Sequence, residues 1–343
     1  MKQAAILDSV NYIQKLSLFK IFNLIKLLLS YRISRMLKKP VVWGLPASIS
    51  IEPTTSCNLR CPECPSGLRS FSRNTGMLSL SDFKNWMDQV HQHITYLTLY
   101  FQGEPYLNKD FFEFAKYARK QKIYSSTSTN AHFLTDENAR KTVESGLDRL
   151  IISIDGIDQE SYQNYRIGGK LSKVMEGTTN ILKWKKELKS NTPYVIFQFL
   201  VVKPNEHQVE AVKELGKKVG VGKVAIKTAQ VYDYANGHSL IPENDEYSRY
   251  KKGTDGKYAL KNKLLNQCWR MWQSSVITWD GRVVPCCFDK DATHKMGELK
   301  EKSFKEIWKG SAYSNFRRSL LISRSEIDIC KNCTEGTKVW AGD

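Results

Sequence analysis

The sequence lacks the features of a secreted or membrane-spanning protein. Lysines interrupt its most apolar stretch, near the N-terminus, so no run of apolar residues is long enough to cross a bilayer. No small-residue cleavage site follows that stretch, and we expect no secretory signal peptide. The eight cysteines in 343 residues therefore do not indicate a disulfide-rich secreted domain. They favour metal or redox chemistry in a reducing cytoplasm.

Acidic residues are scarce, above all near the N-terminus. The chain has 52 Lys and Arg against 35 Asp and Glu, a formal net charge of +17. In residues 1–50, Asp8 alone opposes eight basic residues, which gives a local charge of 8 − 1 = +7. Such an excess attracts nucleic acids, anionic membranes or acidic proteins. Because no nucleic-acid-binding motif accompanies the charge, we expect no nucleic-acid partner.

The stretch from Lys15 to Pro40 is predicted to form one helix that Pro40 ends. Spacings of three or four residues place a polar stripe along it, formed by Lys20, Asn23, Lys26, Ser30 and Ser34. Apolar residues lie on the other side, namely Leu18, Ile21, Phe22, Ile25, Leu28 and Leu29. Two interpretations stay open. Residues 15–39 either make a peripheral contact with the inner face of the membrane, or pack on the outside of the following domain.

Short β-rich runs alternate with helical runs through the middle of the chain. Six strands are predicted, at residues 48–53, 94–101, 123–130, 149–155, 194–202 and 223–231. Strand–helix alternation predicts an α/β fold with right-handed βαβ units and a parallel sheet. Six units are too few for a closed eight-fold barrel. The pattern leaves a partial barrel or an open doubly wound sheet.

Polar and cysteine residues gather where the first four predicted strands end. Active sites of parallel α/β folds collect at these strand ends. The residues at these positions are Cys57, Cys61 and Cys64 after the first strand, Gly103 and Glu104 after the second, Ser128 and Asn130 after the third, and Ser153 and Asp155 after the fourth. Each cluster alone also suits a turn or a helix cap. Together they predict one functional rim.

The spacing Cys57-x3-Cys61-x2-Cys64, followed by Gly103-Glu104-Pro105, resembles the radical S-adenosylmethionine (SAM) superfamily over about residues 48–231. Gln102 stands where many relatives have glycine. The resemblance implies a partial (β/α)6 TIM-like barrel and a [4Fe–4S] cluster held by the three thiolates. It also implies SAM bound at the fourth iron and cleaved to a 5′-deoxyadenosyl radical. The alternative is a zinc site with a fourth ligand from His91, His93 or His132.

The same resemblance implies roles for the other rim residues. Gly103 and Glu104 would meet the methionine amino group of SAM. Ser128, Asn130, Ser153 and Asp155 would contact its methionine and ribose parts. Arg166, within the sequence YRIGG, resembles the arginine that pairs with the SAM carboxylate.

A second cysteine set lies near the C-terminus. The sequence SSVITWDGRVVPCC (274–287) predicts a hairpin with a two-residue Asp280-Gly281 turn, and 303–321 predicts a helix. Cys268, Cys286, Cys330 and Cys333 resemble the auxiliary-cluster modules of this superfamily, called SPASM, and in particular their shortened "twitch" form. That form implies a second, fully ligated [4Fe–4S] cluster. A structural zinc ribbon is the alternative. Cys287 either replaces Cys286 as a ligand, packs as a small buried hydrophobe, or donates a hydrogen atom.

The predicted organisation has four parts. A basic helical segment covers 1–47, the radical SAM core 48–231, a linker or variable segment 232–267, and a SPASM/twitch-like domain of one hairpin and one helix 268–343. Nothing in 232–267 indicates a substrate. Asp233, Glu243, Asp245, Glu246 and Tyr247 are only candidates for a catalytic base, and the oligomeric state is not indicated.

The resemblance implies a radical SAM oxidoreductase. After hydrogen abstraction the auxiliary cluster would accept an electron, so that a small or lipid-linked molecule is oxidised. A low-potential flavodoxin or ferredoxin would supply the electrons for SAM cleavage, and its acidic surface would suit the basic chain. The alternatives are a peptide- or protein-modifying maturase and a non-catalytic iron–sulfur sensor or scaffold. Residues 1–47 are too short for the winged-helix module that often binds a leader peptide, which favours the smaller substrate.

Overall fold

The computed structural model describes residues 1–336. The last seven residues of the predicted auxiliary module, 337–343, lie outside the described residues. In chain order the strands are β1 (Ser48–Ile51), β2 (Tyr96–Thr98), β3 (Tyr124–Thr129), β4 (Arg149–Ser153), β5 (Tyr194–Val201), β6 (Lys223–Thr228), β7 (Tyr250–Lys252), β8 (Tyr258–Leu260), β9 (Ser274–Ile277), β10 (Arg282–Val284) and β11 (Gly297–Glu298). All six strands predicted for the core are present.

The helices alternate with these strands, as an α/β fold requires. They are α1 (Lys2–Gln14), α2 (Leu18–Leu37), α3 (Pro65–Leu68), α4 (Leu80–Asp88), α5 (Phe111–Lys120), α6 (Asp136–Ser145), α7 (Gln159–Tyr165), α8 (Leu171–Glu187), α9 (Val209–Val219), α10 (Arg270–Gln273), α11 (Phe304–Lys309), α12 (Ser311–Ser323) and α13 (Asp328–Lys331). Short 3₁₀ turns cover Pro105–Leu107, Lys203–Gln208 and Arg324–Glu326.

The chain divides into two compact units, each built from several segments. The first unit comprises Met1–Asn11, Cys57–Ser70 and Ser126–Lys263. The second comprises Tyr12–Ser56, Phe71–Ser125 and the described part of Leu264–Asp343. The four sequence-based domain boundaries stay a prediction.

The first unit is built on parallel strands in the order β3-β4-β5-β6. The sequence of β5, YVIFQFLV, is almost continuously apolar, which is typical of a parallel strand covered on both faces. The register places Ser128 opposite Ile151 and Ser153 opposite Gln198. The polar ends of β3 and β4 therefore lie on neighbouring strands, as the sequence predicts.

The second unit holds strands in the order β11-β10-β9-β1-β2. Strand β1 runs parallel to both β2 and β9, with Ser48 opposite Tyr96 and Ser274. The predicted C-terminal hairpin is present as antiparallel β9 and β10, and Gly281 in its turn has a φ of 94° that suits glycine. This hairpin extends the sheet of the second unit through β1.

Two helix predictions need correction, and one further helix was not predicted. The N-terminal helix begins at Leu18 rather than Lys15, because the Ser17 side chain caps it, and ends at Leu37 before Pro40. The separate helix α1 precedes it and was not predicted. The single helix predicted over 303–321 is two helices, α11 and α12, because Gly310 between them is extended, with ψ near 171°.

Helix α2 turns its polar stripe inward. Lys20, Asn23, Ser30 and Ser34 are buried, while Lys26 is exposed. Among the described residues, no helix combines the length and the apolar character needed to cross a membrane.

A buried ion pair joins the end of β1 to the loop before α4. Arg73 donates two hydrogen bonds to the Glu52 carboxylate, of 2.9 and 2.6 Å, and both side chains are almost fully buried. The backbone N–H of Trp279 donates a third bond of 3.2 Å to Glu52. Burial raises the pKa of Glu52, and Arg73 opposes that shift. Arg73 therefore compensates a carboxylate whose charged form burial disfavours.

Replacing Arg73 with leucine should lower the free energy of unfolding by about 3–5 kcal/mol, because the Glu52 charge then lies buried and uncompensated. The double variant Glu52→Leu/Arg73→Leu should recover part of that loss. As a control, Lys116→Leu removes the exposed pair with Glu113 and should cost less than about 1 kcal/mol. Anaerobic urea unfolding measures all three. Equal losses for Arg73→Leu and Lys116→Leu would contradict the buried-pair argument.

Candidate functional site

Three cysteines lie on the tight loop that follows β1. Cys57, Cys61 and Cys64 belong to the first unit, and none is in a disulfide. Helix α3 begins directly after Cys64 and turns the chain back. A Cβ at Gly67 would lie 2.5 Å from both the backbone N and O of Cys61, so only glycine fits there. The backbone at Gly67 thus packs directly against the backbone at Cys61 and makes the loop compact.

Hydrogen-bond donors point at the sulfurs of Cys57 and Cys61. The backbone N–H of Leu59 lies 3.4 Å from Cys57 Sγ, and Asn130 Nδ2 lies 3.9 Å from the same atom. Arg166 Nη1 lies 3.6 Å from Cys61 Sγ. Burial raises the pKa of Cys61, and the guanidinium of Arg166 opposes this shift by favouring the thiolate. The donors suit sulfur atoms that carry negative charge.

Asp155 holds Arg166 in place. Arg166 Nε donates to Asp155 Oδ2, and Asp155 Oδ1 accepts the backbone N–H of Leu200 at 2.7 Å. The backbone carbonyl of Asp155 also accepts from Asn205 Nδ2 at 2.9 Å. The fully buried Asp155 is therefore committed to orienting Arg166 and the neighbouring strand ends. That role was not predicted for it.

The segment predicted as a linker packs against the cysteine loop. Strands β7 and β8 form a small antiparallel hairpin within residues 232–267. Tyr250 belongs to one buried cluster with Leu59, Cys61 and Tyr165, and Tyr234 stacks on Tyr250 with ring centroids 4.5 Å apart. Glu63, inside the cysteine loop, accepts the backbone N–H of Tyr232 at 3.0 Å. This part of the predicted linker or variable segment therefore belongs to the surroundings of the thiols.

His132 is already committed within the protein. Its Nδ1 lies 2.9 Å from the carbonyl oxygen of Asn130, and its Nε2 accepts the backbone N–H of Lys170 at 2.8 Å. Burial lowers its pKa, so the neutral ring is favoured. With both ring nitrogens engaged, His132 does not suit the role of a fourth zinc ligand. The other two candidates, His91 and His93, belong to the second unit.

The Gly103–Glu104 turn belongs to the second unit. The Glu104 backbone N–H donates to the Ser56 carbonyl at 2.7 Å. Gly103 has a φ of 73°, and a Cβ there would lie 2.3 Å from the carbonyl oxygen of Thr54. This turn is therefore fixed against the three residues that lead into Cys57. Of the other predicted contacts, Ser128 is half-buried and Ser153 is buried on their strands.

The second unit contains the other cysteine set. Cys268, Cys330 and Cys333 are buried and Cys286 is half-buried, all as free thiols. Burial raises the pKa of Cys330 to about 12 and that of Cys333 to about 11. A Cβ at Gly336 would lie 2.3 Å from Cys268 Sγ, so the chain after Cys333 passes directly over that sulfur.

Arg324 is a buried cation among these thiols. Its Nη2 lies 3.1 Å from Cys333 Sγ and 2.8 Å from the carbonyl oxygen of Glu335. Its charge lowers the pKa of Cys268, Cys330 and Cys333 against the effect of burial. Sequence reasoning missed this residue, because no motif spacing connects it to the cysteines.

Cys287 is exposed. The expectation that it packs as a small buried hydrophobe is therefore wrong. A hydrogen bond with Cys286, together with the nearby Arg270 guanidinium, lowers the pKa of Cys287 to about 6, while that of Cys286 is raised. These two neighbouring thiols are therefore hydrogen-bonded to each other.

Among residues 1–336, no group of three or more His, Cys, Asp or Glu side chains is placed so that it could hold a metal ion. The fit to iron–sulfur clusters is judged instead from the donors. Thiolates are the ligands of such clusters, and hydrogen bonds to the sulfurs tune them. Cysteines outside any disulfide, with an arginine directed at the sulfurs of each set, fit that chemistry. Gly67 allows close approach to the backbone of Cys61, and Gly336 allows close approach to the sulfur of Cys268.

Comparison with known protein families decides between an iron–sulfur protein and a zinc protein. Residues 51–215 match the family model of the Radical SAM superfamily. The chain contains a radical SAM domain. Residues 268–334 match SPASM, an iron–sulfur cluster-binding domain. The resemblance carried by the two cysteine sets is thereby confirmed.

Several curated proteins are similar over most of the chain. A tungsten-containing aldehyde ferredoxin oxidoreductase cofactor-modifying protein of Pyrococcus furiosus is 26% identical, with 78% of this chain and 82% of that protein covered. A PqqA peptide cyclase of Bradyrhizobium diazoefficiens is 25% identical, with 85% and 79% covered. An AdoMet-dependent heme synthase of Methanosarcina barkeri is 30% identical over a shorter region, with 51% and 48% covered.

Solved structures support the fold class. BtrN in complex with AdoMet and 2-DOIA superposes with a TM-score of 0.53 at 19% identity, covering 85% of this chain and 94% of that chain. SuiB of Streptococcus suis bound to S-adenosylmethionine gives 0.63 at 12% identity, covering 80% and 68%. The anSMEcpe structure with bound AdoMet gives 0.61 at 20% identity, covering 84% of both chains. The predicted α/β fold, with the partial barrel of radical SAM enzymes, is confirmed.

The two matched domains define the cofactors. A radical SAM domain uses a [4Fe–4S] cluster and SAM, and a SPASM domain carries auxiliary iron–sulfur chemistry. The cofactor predictions are therefore confirmed, whereas the assignment of individual ligands is a proposal.

Replacing Gly103 with alanine should displace residues 54–56, which lead into the cysteine loop. The new Cβ would collide with the Thr54 carbonyl and occupy an unfavourable positive φ. The control Gly220→Ala has a similarly positive φ but open space around it, and should cost about 1 kcal/mol. We expect Gly103→Ala to lower iron content at the first cluster, and Gly220→Ala to leave it unchanged. Equal iron content in both variants would contradict the steric argument.

Replacing Arg324 with leucine should make the auxiliary cluster harder to reduce, because a buried cation beside its ligands is lost. We expect a potential more negative by on the order of 100 mV. The control Arg318→Leu removes an exposed arginine from the same helix region and should change nothing. An EPR-monitored redox titration of chains lacking Cys57, Cys61 and Cys64 isolates the second site. An unshifted potential in fully loaded Arg324→Leu would overturn the assigned role of this arginine.

Proposed function

We propose that the protein is a radical SAM oxidoreductase that oxidises an alcohol or similar C–H site of a small or lipid-linked molecule. When bound, the cofactors supply a 5′-deoxyadenosyl radical for hydrogen abstraction at the first site and an acceptor for one electron at the second. The observation that carries the proposal is the pair of thiol sets, three sulfurs in the first unit and four or five in the second.

Three cysteines leave one position open for a substrate-side ligand, as in catalytic metal sites that keep one coordination position free. Cys57, Cys61 and Cys64 are assigned as the ligands of the first cluster. They are the only cysteines of the first unit, whose residues are all described. His132, the histidine of that unit considered as a fourth ligand, has both ring nitrogens engaged. The open position is thus a property of the donor set.

The residues around this loop would bind and orient SAM. Arg166 is held by Asp155 with its Nη1 3.6 Å from Cys61 Sγ, so its guanidinium is fixed beside the thiols where it would pair with the SAM carboxylate. Asn130 donates to Asn58 Oδ1 at 2.7 Å beside Cys57. Gly103, Glu104, Ser128 and Ser153 are the remaining proposed contacts. The buried cluster with Tyr165 and Tyr250 would exclude water from the same region.

The second set has enough thiols to leave no open position. Cys268, Cys286, Cys330 and Cys333 are assigned as its ligands, with Cys287 adjacent and exposed. A fully ligated cluster suits electron transfer rather than SAM binding, which favours an oxidation. We further propose an acidic low-potential flavodoxin or ferredoxin as the electron donor, because the chain carries a net charge of +17.

Peptide modification is the second candidate. Two PqqA peptide cyclases are 25% and 22% identical over 85% and 87% of this chain, which supports a peptide substrate. The two candidates share the first site and differ in the molecule placed beside it. Adding either precursor peptides or lipid-linked alcohols, each deuterated at candidate positions, distinguishes them by which one transfers deuterium into 5′-deoxyadenosine.

The anaerobically reconstituted protein should convert SAM to 5′-deoxyadenosine when dithionite is added, as measured by liquid chromatography with mass spectrometry. The triple variant Cys57→Ala/Cys61→Ala/Cys64→Ala should lose this activity by at least about a hundredfold, because the proposed ligands are gone. Cys287→Ala is the matched control and should keep it. A fully iron-loaded wild type that forms no 5′-deoxyadenosine would instead support a sensor or scaffold.

A further inference from the structure

Helix α2 is amphipathic in the reverse sense of a surface helix. Its buried residues are mostly polar, namely Lys20, Asn23, Leu27, Ser30, Tyr31 and Ser34. Its exposed large apolar residues are Leu18, Phe19, Ile21, Phe22, Ile25, Leu29, Met36 and Leu37. A helix that only packed on the protein would bury these apolar residues and expose the polar ones.

Specific hydrogen bonds fix this orientation. Asn23 donates to the Leu45 carbonyl at 2.7 Å and accepts the Leu45 N–H at 3.1 Å. Ser34 makes the same pair of contacts with Val41, at 3.0 and 2.8 Å. Lys20 Nζ donates to the Lys122 carbonyl at 2.6 Å. Rotating the apolar residues inward would break every one of these bonds, so the outward apolar face is specified by the sequence.

Five of the exposed apolar residues lie in a stripe along one side of the helix, with Arg32 between Leu29 and Met36. Leu18, Phe22, Ile25, Leu29 and Met36 follow the helical repeat at spacings of four, three, four and seven residues. Leu18 is 75%, Phe22 61% and Met36 82% exposed. Trp43, just beyond the helix, is 48% exposed, and tryptophan favours the boundary between lipid and water. Several large apolar side chains exposed on one side of a helix mark an interaction site.

The charge beside the stripe selects its occupant. Lys26, Arg32, Arg35, Lys38 and Lys39 are all exposed on or directly after the helix. The sequence contains no acidic residue between Asp8 and Glu52. Two copies docked through this face would bring like charges together, whereas anionic headgroups would neutralise them.

We propose that the outward face of α2, with Trp43 and the flanking basic residues, docks the protein on an anionic lipid surface. The helix would lie in the plane of the interface, with its apolar stripe among the acyl chains and its basic side chains at the headgroups. This inference stands on the surface of α2 and does not depend on the reaction proposed above.

Co-sedimentation of the full-length, cluster-loaded protein with lipid vesicles tests the proposal. Vesicles of phosphatidylcholine with about a third phosphatidylglycerol should bind the protein at least about tenfold more strongly than pure phosphatidylcholine, and less so as salt is raised. The variant Phe22→Ser/Ile25→Ser/Leu29→Ser changes only exposed residues and should lose binding while keeping its iron content and melting temperature. The charge variant Arg32→Gln/Lys38→Gln/Lys39→Gln should bind anionic vesicles at least about tenfold more weakly.

The control Leu265→Ser/Ile322→Ser removes exposed apolar residues elsewhere in the second unit and should bind like the wild type. Equal binding to neutral and anionic vesicles would overturn the headgroup assignment. No binding to either would overturn the proposal. Light scattering is measured on the same samples, and a dimer that the serine variant abolishes, without vesicle binding, would identify a second copy as the occupant instead.

Discussion

The structure depends on one electrostatic constraint, which is how to keep sulfur atoms anionic inside the protein. Burial disfavours a thiolate, and it raises the pKa of Cys61, Cys268, Cys330 and Cys333. Both cysteine sets answer it in the same way, with an arginine directed at one sulfur: Arg166 at Cys61 and Arg324 at Cys333. The two arginines are themselves held by other acceptors, so each positive charge is fixed before any cluster binds.

The two sites fix that charge with different partners. Arg166 is paired with a buried carboxylate, Asp155, which balances it almost completely. Arg324 donates instead to sulfur and to the backbone carbonyls of Gln267 and Glu335. Carbonyl dipoles neutralise less charge than a carboxylate does, so more of the positive charge of Arg324 is left for the thiols. This difference suits one site that binds a charged cofactor and one that holds a fully ligated cluster.

Much of the fold and of the site could be predicted from the sequence, because both rest on short-range signals. Alternating β-rich and helical runs located all six core strands, and the spacing of Cys57, Cys61 and Cys64 identified the family. The role of Arg324 could not be predicted, because it depends on a spatial contact with Cys333 that no sequence spacing indicates. The hairpin β7–β8 was missed for a related reason. Its strands are only three residues each, too short for a period-two pattern, and packing of Tyr250, Tyr258 and Leu260 in the cluster around Cys61 stabilises them.

The parallel pairing of β1 with β9 has a consequence for how the chain folds. Ser48 and Ser274 lie opposite each other although more than two hundred positions separate them in the chain. During synthesis, one edge of β1 must therefore wait without its neighbour until the C-terminal hairpin leaves the ribosome, while every segment of the first unit has already emerged. Such distant pairing slows folding and leaves an open strand edge available to wrong partners in the meantime. Chaperones that cover this edge during synthesis should therefore raise the yield of folded protein.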